Sequence, residues 1–417
     1  MSEWKKVKLG EICERITSGG TPKANVSSYY NPPTIPWLKT KEVNYCRITE
    51  TENYISEEGL NNSSAKLIAS NSVIVAMYGQ GDTAGRVAIN KIPLTTNQAC
   101  CNLTIDKNKA DYEFIYYQLC TLYNKMVSLK AGAAQPNLNA QIIKSLEVDL
   151  PPIEVQHRIA TILSRYDTLI ENYQKQIKLL EEAAQRLYKE WFVELRFPGH
   201  ENTKMVDGLP EGWERKVVDS IYSIKYGKNL STKLISESGD FPVYGANGVI
   251  GYYDKANCNE QVVLITSRGN GSGDVLMTYH KEAFITNNSF IVSPLEDYSY
   301  CQLPFTYQFL RNANFRAVRT GAAQPQLTNQ SIHTVDVVLP TKGLITAYCE
   351  KISHSNEMII RLKDQIRLLT EARDRLLPRL MGGEMKVDAP KGQRAINPVH
   401  RSGYNPQTNH APKGQKN

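Results

Sequence analysis

The sequence predicts an α+β protein: two mixed α/β globular domains separated by a pair of long antiparallel coiled-coil helices, built as a pseudo-twofold internal repeat. Three observations carry this expectation. The pentapeptide GAAQP occurs at Gly132–Pro136 and again at Gly321–Pro325. The match extends along the chain at one fixed offset. Two stretches of apolar residues at coiled-coil spacing occupy matched places in the two halves.

At an offset of 189 residues, from Gly132 to Gly321, Leu138 meets Leu327, Gln141 meets Gln330 and Ile143 meets Ile332. Val148, Leu150 and Pro151 meet Val337, Leu339 and Pro340, and QIKLLEEA (176–183) meets QIRLLTEA (365–372) without a gap. Upstream the likeness is looser. WKKVKLGEI (4–12) resembles WERKVVDSI (213–221), SVIVAMYGQGDTAG (72–85) resembles QVVLITSRGNGSG (261–273), and LTTNQ (94–98) resembles FITNN (284–288). A period this long means domain duplication, not a solenoid.

In chain order, the runs NSVIVAMYG and EQVVLITSRG read as strands closed by glycine turns. Residues 110–130 and 301–318 read as helices. Each globular part ends in a short helix, N-capped by Asn139 or Thr328, then a strand (LEVDLP or VDVVLP) and a proline stop. The first long helix follows. Its Ile159, Ile162, Tyr166, Leu169, Tyr173, Ile177, Leu180, Ala184, Leu187 and Trp191 alternate three and four residues apart. The second copy keeps the pattern at Tyr348, Met358, Leu362, Ile366, Leu369, Leu376 and Leu380, and breaks it at Lys351, Ser355 and Arg373. The expected helix-pair packing residues are therefore Ile159, Ile162, Leu169, Ile177, Leu180 and Leu187 with Leu362, Ile366, Leu369 and Leu376.

Helices of about 40 residues reach roughly 60 Å. An amphipathic helix that long is not stable alone in water, so the two are expected to pair. Antiparallel pairing would set the domains at opposite ends. The expected boundaries are a first domain at 1–152, the first long helix at 153–196 and a Gly- and Pro-containing connector at 197–212. A second domain at 213–341, the second long helix at 342–385 and a disordered basic tail at 386–417 complete the chain.

The 417 residues exceed one typical domain and suffice for two or three with proper cores. There is no run of about 18 apolar residues. MSEWKKVKLGE lacks the apolar stretch of a secretory signal, so a cytoplasmic protein is expected. The eight scattered cysteines form no CxxC pair, and none stands beside a histidine at zinc-ligand spacing; reduced thiols and no metal site are expected. The formal charge is +7, but Lys386, Lys391, Arg394, Arg401, Lys413 and Lys416 face only Asp388 in the tail, so most of the excess lies there. A near-neutral body binds nucleic acid only through local patches or with a partner's help.

Three words resemble enzyme motifs and fail on context. NPPT (Asn31–Thr34) has Thr34 where the Asn-Pro-Pro-aromatic motif of adenine methyltransferases has a ring to stack on a flipped base. A proline-rich turn before a strand is the better reading. GNGSG (Gly269–Gly273) is followed by DVLMTYHKEAFITNN, which reads as strands, whereas a nucleotide loop must open a helix. A glycine hairpin is expected there. Glu384 and Lys386 form a nuclease-like E-x-K pair without an upstream acid and are attributed to chance. No nucleophile–base pair and no metal cluster stands out, so no catalytic residue and no cofactor on this chain is expected.

Polar and aromatic residues gather instead in the loops. They are Lys23, Trp37, Lys39, Lys41, Tyr78, Gln80, Arg86, Asn97 and Gln98 in the first copy, and Lys228, Tyr244, Asn247, Arg268, Asn270, Asn287 and Asn288 in the second. Arg pairs with guanine, Asn and Gln with adenine, and Lys with phosphate. Singly, each is more often a solvated surface group. Recurring in equivalent loops, the set becomes the candidate DNA-binding surface.

This constellation resembles the specificity (S) subunit of type I restriction–modification systems over residues 1–385. LPEGWE (209–214) is similar to the family's domain opening. GGTPK…IPWLKTKEV (19–43) and FPVYGANGVIGYYD (241–254) are similar to its recognition-domain segments. GAAQPNLN…LPPIEVQHRIA (132–160) is similar to the approach to its first long helix, whereas LPTKGLITAY in the second copy lacks the Glu and Gln of PPIEVQ.

The resemblance implies a non-catalytic subunit. Two target-recognition domains would each read half of a split double-stranded DNA site. The helix pair would set the spacer and dock two methyltransferase (M) subunits, which use S-adenosylmethionine. Restriction (R) subunits using ATP and Mg would join that core; no membrane partner is implied. Half-sites read in the major groove commonly lie about one turn, 34–36 Å, apart, a gap that helices of roughly 60 Å can hold. Two other readings stand beside this one. A fused restriction–methylation polypeptide is opposed by the missing methyltransferase and nuclease motifs; the other is a duplicated coiled-coil adaptor that binds protein and not DNA. GAAQP, shared by domains that should read different sequences, is expected to fix the domain-to-helix junction, with Gly132 and Gly321 supplying an unusual backbone turn. A shared phosphate contact is its other reading.

Overall fold

The computed structural model describes residues 4–131, 137–321 and 325–385. The first GAAQP, the middle of the second and the tail expected to be disordered lie outside the described residues. The chain divides into two compact units: residues up to Ile162 together with those from Leu376 onward, and Leu163–Arg375.

In the first unit, Cys13–Ser18, Cys100–Ile105, Val73–Ala76, Val87–Asn90 and Cys46–Ile48 lie side by side in that order. The first four pair antiparallel, and Cys46–Ile48 runs parallel to its neighbour. Val73–Ala76 and Val87–Asn90 are buried at every position. Strands covered on both faces need apolar runs, not alternation, which Val73–Ala76 and Val87–Ile89 supply; the buried Asn90 donates its amide to the Ala69 and Ile92 carbonyls at 2.8 Å. A smaller sheet sets Ile35–Leu38 between Tyr54–Ile55 and Thr95–Thr96, parallel to the latter. NPPT is the turn leading into its central strand. Lys5–Lys8 pairs with Glu147–Leu150, closing the start of the domain on its end.

The helix expected over 110–130 is two helices. Asp111 caps Tyr112–Thr121 by accepting the Phe114 N–H at 2.9 Å; the chain breaks at Leu122 and resumes as Tyr123–Ala131. Asn139 caps the short Ala140–Ser145 in the same way.

The second unit repeats the plan. Tyr222–Tyr226, Ser289–Pro294, Val263–Thr266 and Val275–Met277 form a four-stranded antiparallel sheet. Phe241–Gly245 lies between Gly248–Tyr253 and Phe284–Ile285, again parallel to the latter. Glu214–Val217 pairs with Asp336–Leu339, and Thr328 caps Asn329–Ile332. A fifth strand matching Cys46–Ile48 is absent among the described residues. The core gathers Tyr222, Phe290, Phe305 and Phe315; full burial of each such ring is worth about 1.5–3 kcal/mol.

The long helices are Ile153–Tyr188 and Lys342–Met381, of 36 and 40 residues. Within the second unit they run antiparallel. The Tyr348 hydroxyl donates to the Ala184 carbonyl at 3.0 Å, Ile177 packs on Ile359 and Leu362, and Arg373 binds Asp167 at 2.7 Å. Leu180 and Ile366 flank that seam, and Leu187 packs on the second domain's core. Ile159 is buried; Ile162, Leu369 and Leu376 are half-buried.

Leu169 is a correction. It is 42% exposed, while Ile170 is 8% exposed and Leu163 is fully buried. In the second helix Met358 likewise turns outward and Ile359 inward. The physical reason is Asp167. It occupies a buried seam position because Arg373 neutralises it. A search for apolar periodicity passes over it, takes Tyr166 and Leu169 instead, and runs one residue out of register.

Candidate nucleic-acid interface

In each unit separate loops are tied into one cluster by backbone hydrogen bonds, and the same bonds recur in both. Gly19 and Gly20 donate to the carbonyls of Cys100 and Thr96; Gly227 and Lys228 donate to those of Ser289 and Ile285. Asn97 donates to Leu38, and Thr286 to Tyr244. Met77 donates to Ala99, and Ser267 to Asn288. Leu138 donates to Met77, and Leu327 to Ser267. All ten lengths fall within 2.8–3.2 Å.

Glycine is required at the tightest point. A Cβ on Gly19 would lie 2.3 Å from the Thr96 carbonyl, and one on Gly227 would lie 2.3 Å from that of Thr286. A backbone frame does not depend on the side chains it carries. Lys228 therefore stands where the first domain has Gly20, Arg268 where it has Tyr78, and Asn288 where it has Ala99.

The first cluster presents Lys23, Gln80 and Gln98 to solvent and holds Tyr78 and Asn97 half-buried. Arg86 is aimed by two partners, Asn44 Oδ1 at 2.9 Å and Asp82 Oδ1 at 2.7 Å. The bond from Arg86 draws the Asp82 carboxyl below its usual range. Lys39 Nζ donates to Asn53 Oδ1 at 3.0 Å and lies 5.0 Å from the Trp37 ring centre. Lys41 is exposed and paired with Glu52. Trp37 stands apart from this set. It is buried, and its indole N–H donates to the Gly20 carbonyl at 3.0 Å, so it props the loop from beneath.

The second cluster exposes Lys228, Asn247, Arg268 and Asn270, with Asn287 and Asn288 half-buried. GNGSG is a hairpin whose Gly269 and Gly273 have φ of +84° and +88°, and strand Val275–Met277 follows it. Thr266 Oγ1 donates to the Ala246 carbonyl at 2.7 Å, which brings the Asn247 turn against that hairpin. Tyr244 is a second correction. It is buried, its hydroxyl bonded to His280 Nδ1 at 2.9 Å and to the Tyr279 N–H at 3.2 Å. Burial, and then the nearby Arg367, hold the His280 imidazole below its ordinary pKa.

Gly321 has φ of +84°. The described end of the second GAAQP is tied to the hairpin, the Pro325 carbonyl accepting the Gly269 N–H at 3.0 Å. Pro325 therefore belongs to the loop cluster. Tyr226 was not among the expected residues, yet it is 43% exposed, with its ring 4.2 Å from that of Phe290. No sequence signal marks it, because exposure of a strand residue is set by the neighbouring sheet. Among the described residues, no group of His, Cys, Asp or Glu could hold a metal ion, and no helix is long and apolar enough to cross a membrane.

The family model of the type I restriction modification DNA specificity domain matches residues 1–182 and again 210–366, once in each half. The chain belongs to this family. A similar protein is the type I restriction enzyme MjaIX specificity subunit of Methanocaldococcus jannaschii, 27% identical over 93% of this chain and 94% of that one. The EcoR124I/EcoR124II specificity subunit of Escherichia coli is 30% identical over 47% of this chain and 48% of its own length. The crystal structure of the S subunit from M. genitalium shares the fold, with a TM-score of 0.55 at 18% identity over 91% of this chain and 96% of that one.

Proposed function

We propose that this chain is the DNA sequence-recognition subunit of a type I restriction–modification complex, each domain reading one half of a bipartite double-stranded site. One observation carries the reading: a single backbone frame recurs in both domains with different side chains on its loops. Reading two unlike half-sites calls for a fixed frame and variable groups facing the base edges. A protein-binding adaptor has no need of that combination. The chain performs no reaction itself. Methyl transfer from S-adenosylmethionine belongs to M subunits, and ATP- and Mg-dependent cleavage to R subunits.

The long helices offer the surface for two M subunits. Leu169 and Met358 are 42% and 37% exposed, and Leu179 and Leu368 are 65% and 50% exposed. Each pair is related by the offset that relates the two copies. Apolar side chains left out of the seam at matching positions of a duplicated helix suit two copies of one partner.

The test is a gel-shift of the chain assembled with its M subunits, together with methylation mapping of source DNA with and without the gene. A bipartite methylated sequence that vanishes with the gene is the expected result. Absent or sequence-independent DNA binding would sink the proposal.

A further inference from the structure

We infer that Arg316 and Arg319 form a sugar-phosphate anchor in the second domain, a sequence-independent grip beside Arg268 and the other loop residues that read bases. The inference rests on the DNA-recognition reading. Residues 301–335 contain no Asp or Glu but hold Arg311, Arg316 and Arg319. Residues 114–146 of the first copy also contain none and hold Lys125, Lys130 and Lys144. With 42 acids in 417 residues, each stretch would ordinarily contain a few. The last cation ahead of GAAQP is Lys130 in one copy and Arg319 in the other, each two residues before the glycine. A feature kept in two domains that read different half-sites suits a ligand common to both. The sugar-phosphate backbone is the part of DNA common to every sequence.

The structure gathers these groups around the glycine hairpin. Thr320 and Gln326 exchange backbone bonds of 2.9 Å, and Arg268 bridges to Gln326. A Cβ on Gly273 would lie 3.2 Å from Phe315 Cβ and 3.4 Å from Arg316 Cγ, so the hairpin abuts the arginine segment. Arg319 is half-buried and, among the described residues, braced by carbonyls, Nε on that of Arg316 at 3.2 Å and Nη1 on that of Asn270 at 3.5 Å. Asp274 is the acid of the site; it binds Arg316 at 2.6 Å and offsets one of the three charges. Among the described residues Arg268 and Arg319 have no carboxylate partner. A guanidinium fixed by carbonyls keeps its charge uncompensated and its remaining N–H donors available to phosphate oxygens.

The test uses the full chain assembled with its M subunits and two duplexes, one carrying the methylated target sequence and one lacking it, across a series of salt concentrations. Arg316→Ala with Arg319→Ala should weaken binding to both duplexes by about tenfold per arginine. The slope of log affinity against log salt should shrink by about one to two. The ratio between the duplexes and the methylated sequence should stay as in wild type. Arg319→Lys should restore most of the affinity and Arg319→Gln should not; these two single variants separate lost charge from a folding defect. Unchanged affinity and slope, with wild type still selective, would overturn the anchor alone. A changed ratio or an altered half-site would also overturn it, making the arginines base readers. A wild-type complex with no selectivity would overturn the recognition reading beneath it.

Discussion

Trp37 and Tyr244 lie on matching strands of the two small sheets, and both turn inward. Trp37 meets the Gly20 carbonyl and Tyr244 meets His280. Their substitution should affect stability before selectivity. Trp37→Phe keeps the ring but leaves a buried carbonyl without its donor, a loss of about 1–2 kcal/mol in chemical unfolding. The methylated sequence should be unchanged. His280 gives a pH signature. It faces the Tyr244 hydroxyl, Arg367 and Asp364, and its native pKa is depressed below 6.5. Above that value neither folded nor unfolded chain carries the proton, and stability is unaffected. As pH falls through about 6.5 the unfolded chain takes up a proton that native His280 refuses, so stability drops until His280 itself protonates. Thermal unfolding of wild type against His280→Phe between pH 8 and 5.5 checks the sign; a wild-type advantage that grows on acidification would contradict it. Arg86 belongs to the other class. Oriented by Asn44 and Asp82, it is a candidate base reader, and on that proposal Arg86→Ala should relax one base pair of the first half-site at a cost of about 1–3 kcal/mol in binding.

The element that organises the second unit is the helix seam, and its polar pair specifies register. Arg373 bonds Asp167 at 2.7 Å and Asp374 at 2.8 Å. Removing Asp167 takes from Arg373 its buried carboxylate and leaves it only the exposed Asp374. Asp167→Ala should therefore destabilise by about 2–3 kcal/mol, whereas Asp167→Leu with Arg373→Leu should come closer to neutral. A double variant as unstable as the single would refute the pairing argument. The helices also carry the spacer hypothesis, motivated by their length and their heptads. Inserting whole turns near Lys175 should lengthen the unread gap in the methylated sequence. An unchanged gap in an active complex would count against helices as the ruler.

For the whole molecule, duplication implies modularity. Exchanging residues 1–150 for the matching domain of another family member should change one half of the methylated sequence and leave the other half intact; a change in both halves would end the modular idea. Much of this architecture was legible in the chain. GAAQP, the matched LEVDLP and VDVVLP strand ends and the two heptad stretches declared a duplication and two long helices, because apolar periodicity and repeated words are written locally. Periodicity could not say that Asp167 is buried, that Leu169 and Met358 face outward, or that Trp37 and Tyr244 brace the loops. Burial of those residues depends on partners far away in sequence: Arg373 for Asp167, Gly20 for Trp37 and His280 for Tyr244. The chain by itself thus determined the repeat, the helices and which loops differ. The tertiary structure decided which loop residues face outward and which hold the frame, because exposure and hydrogen-bond partnership are properties of packed neighbours and not of sequence order.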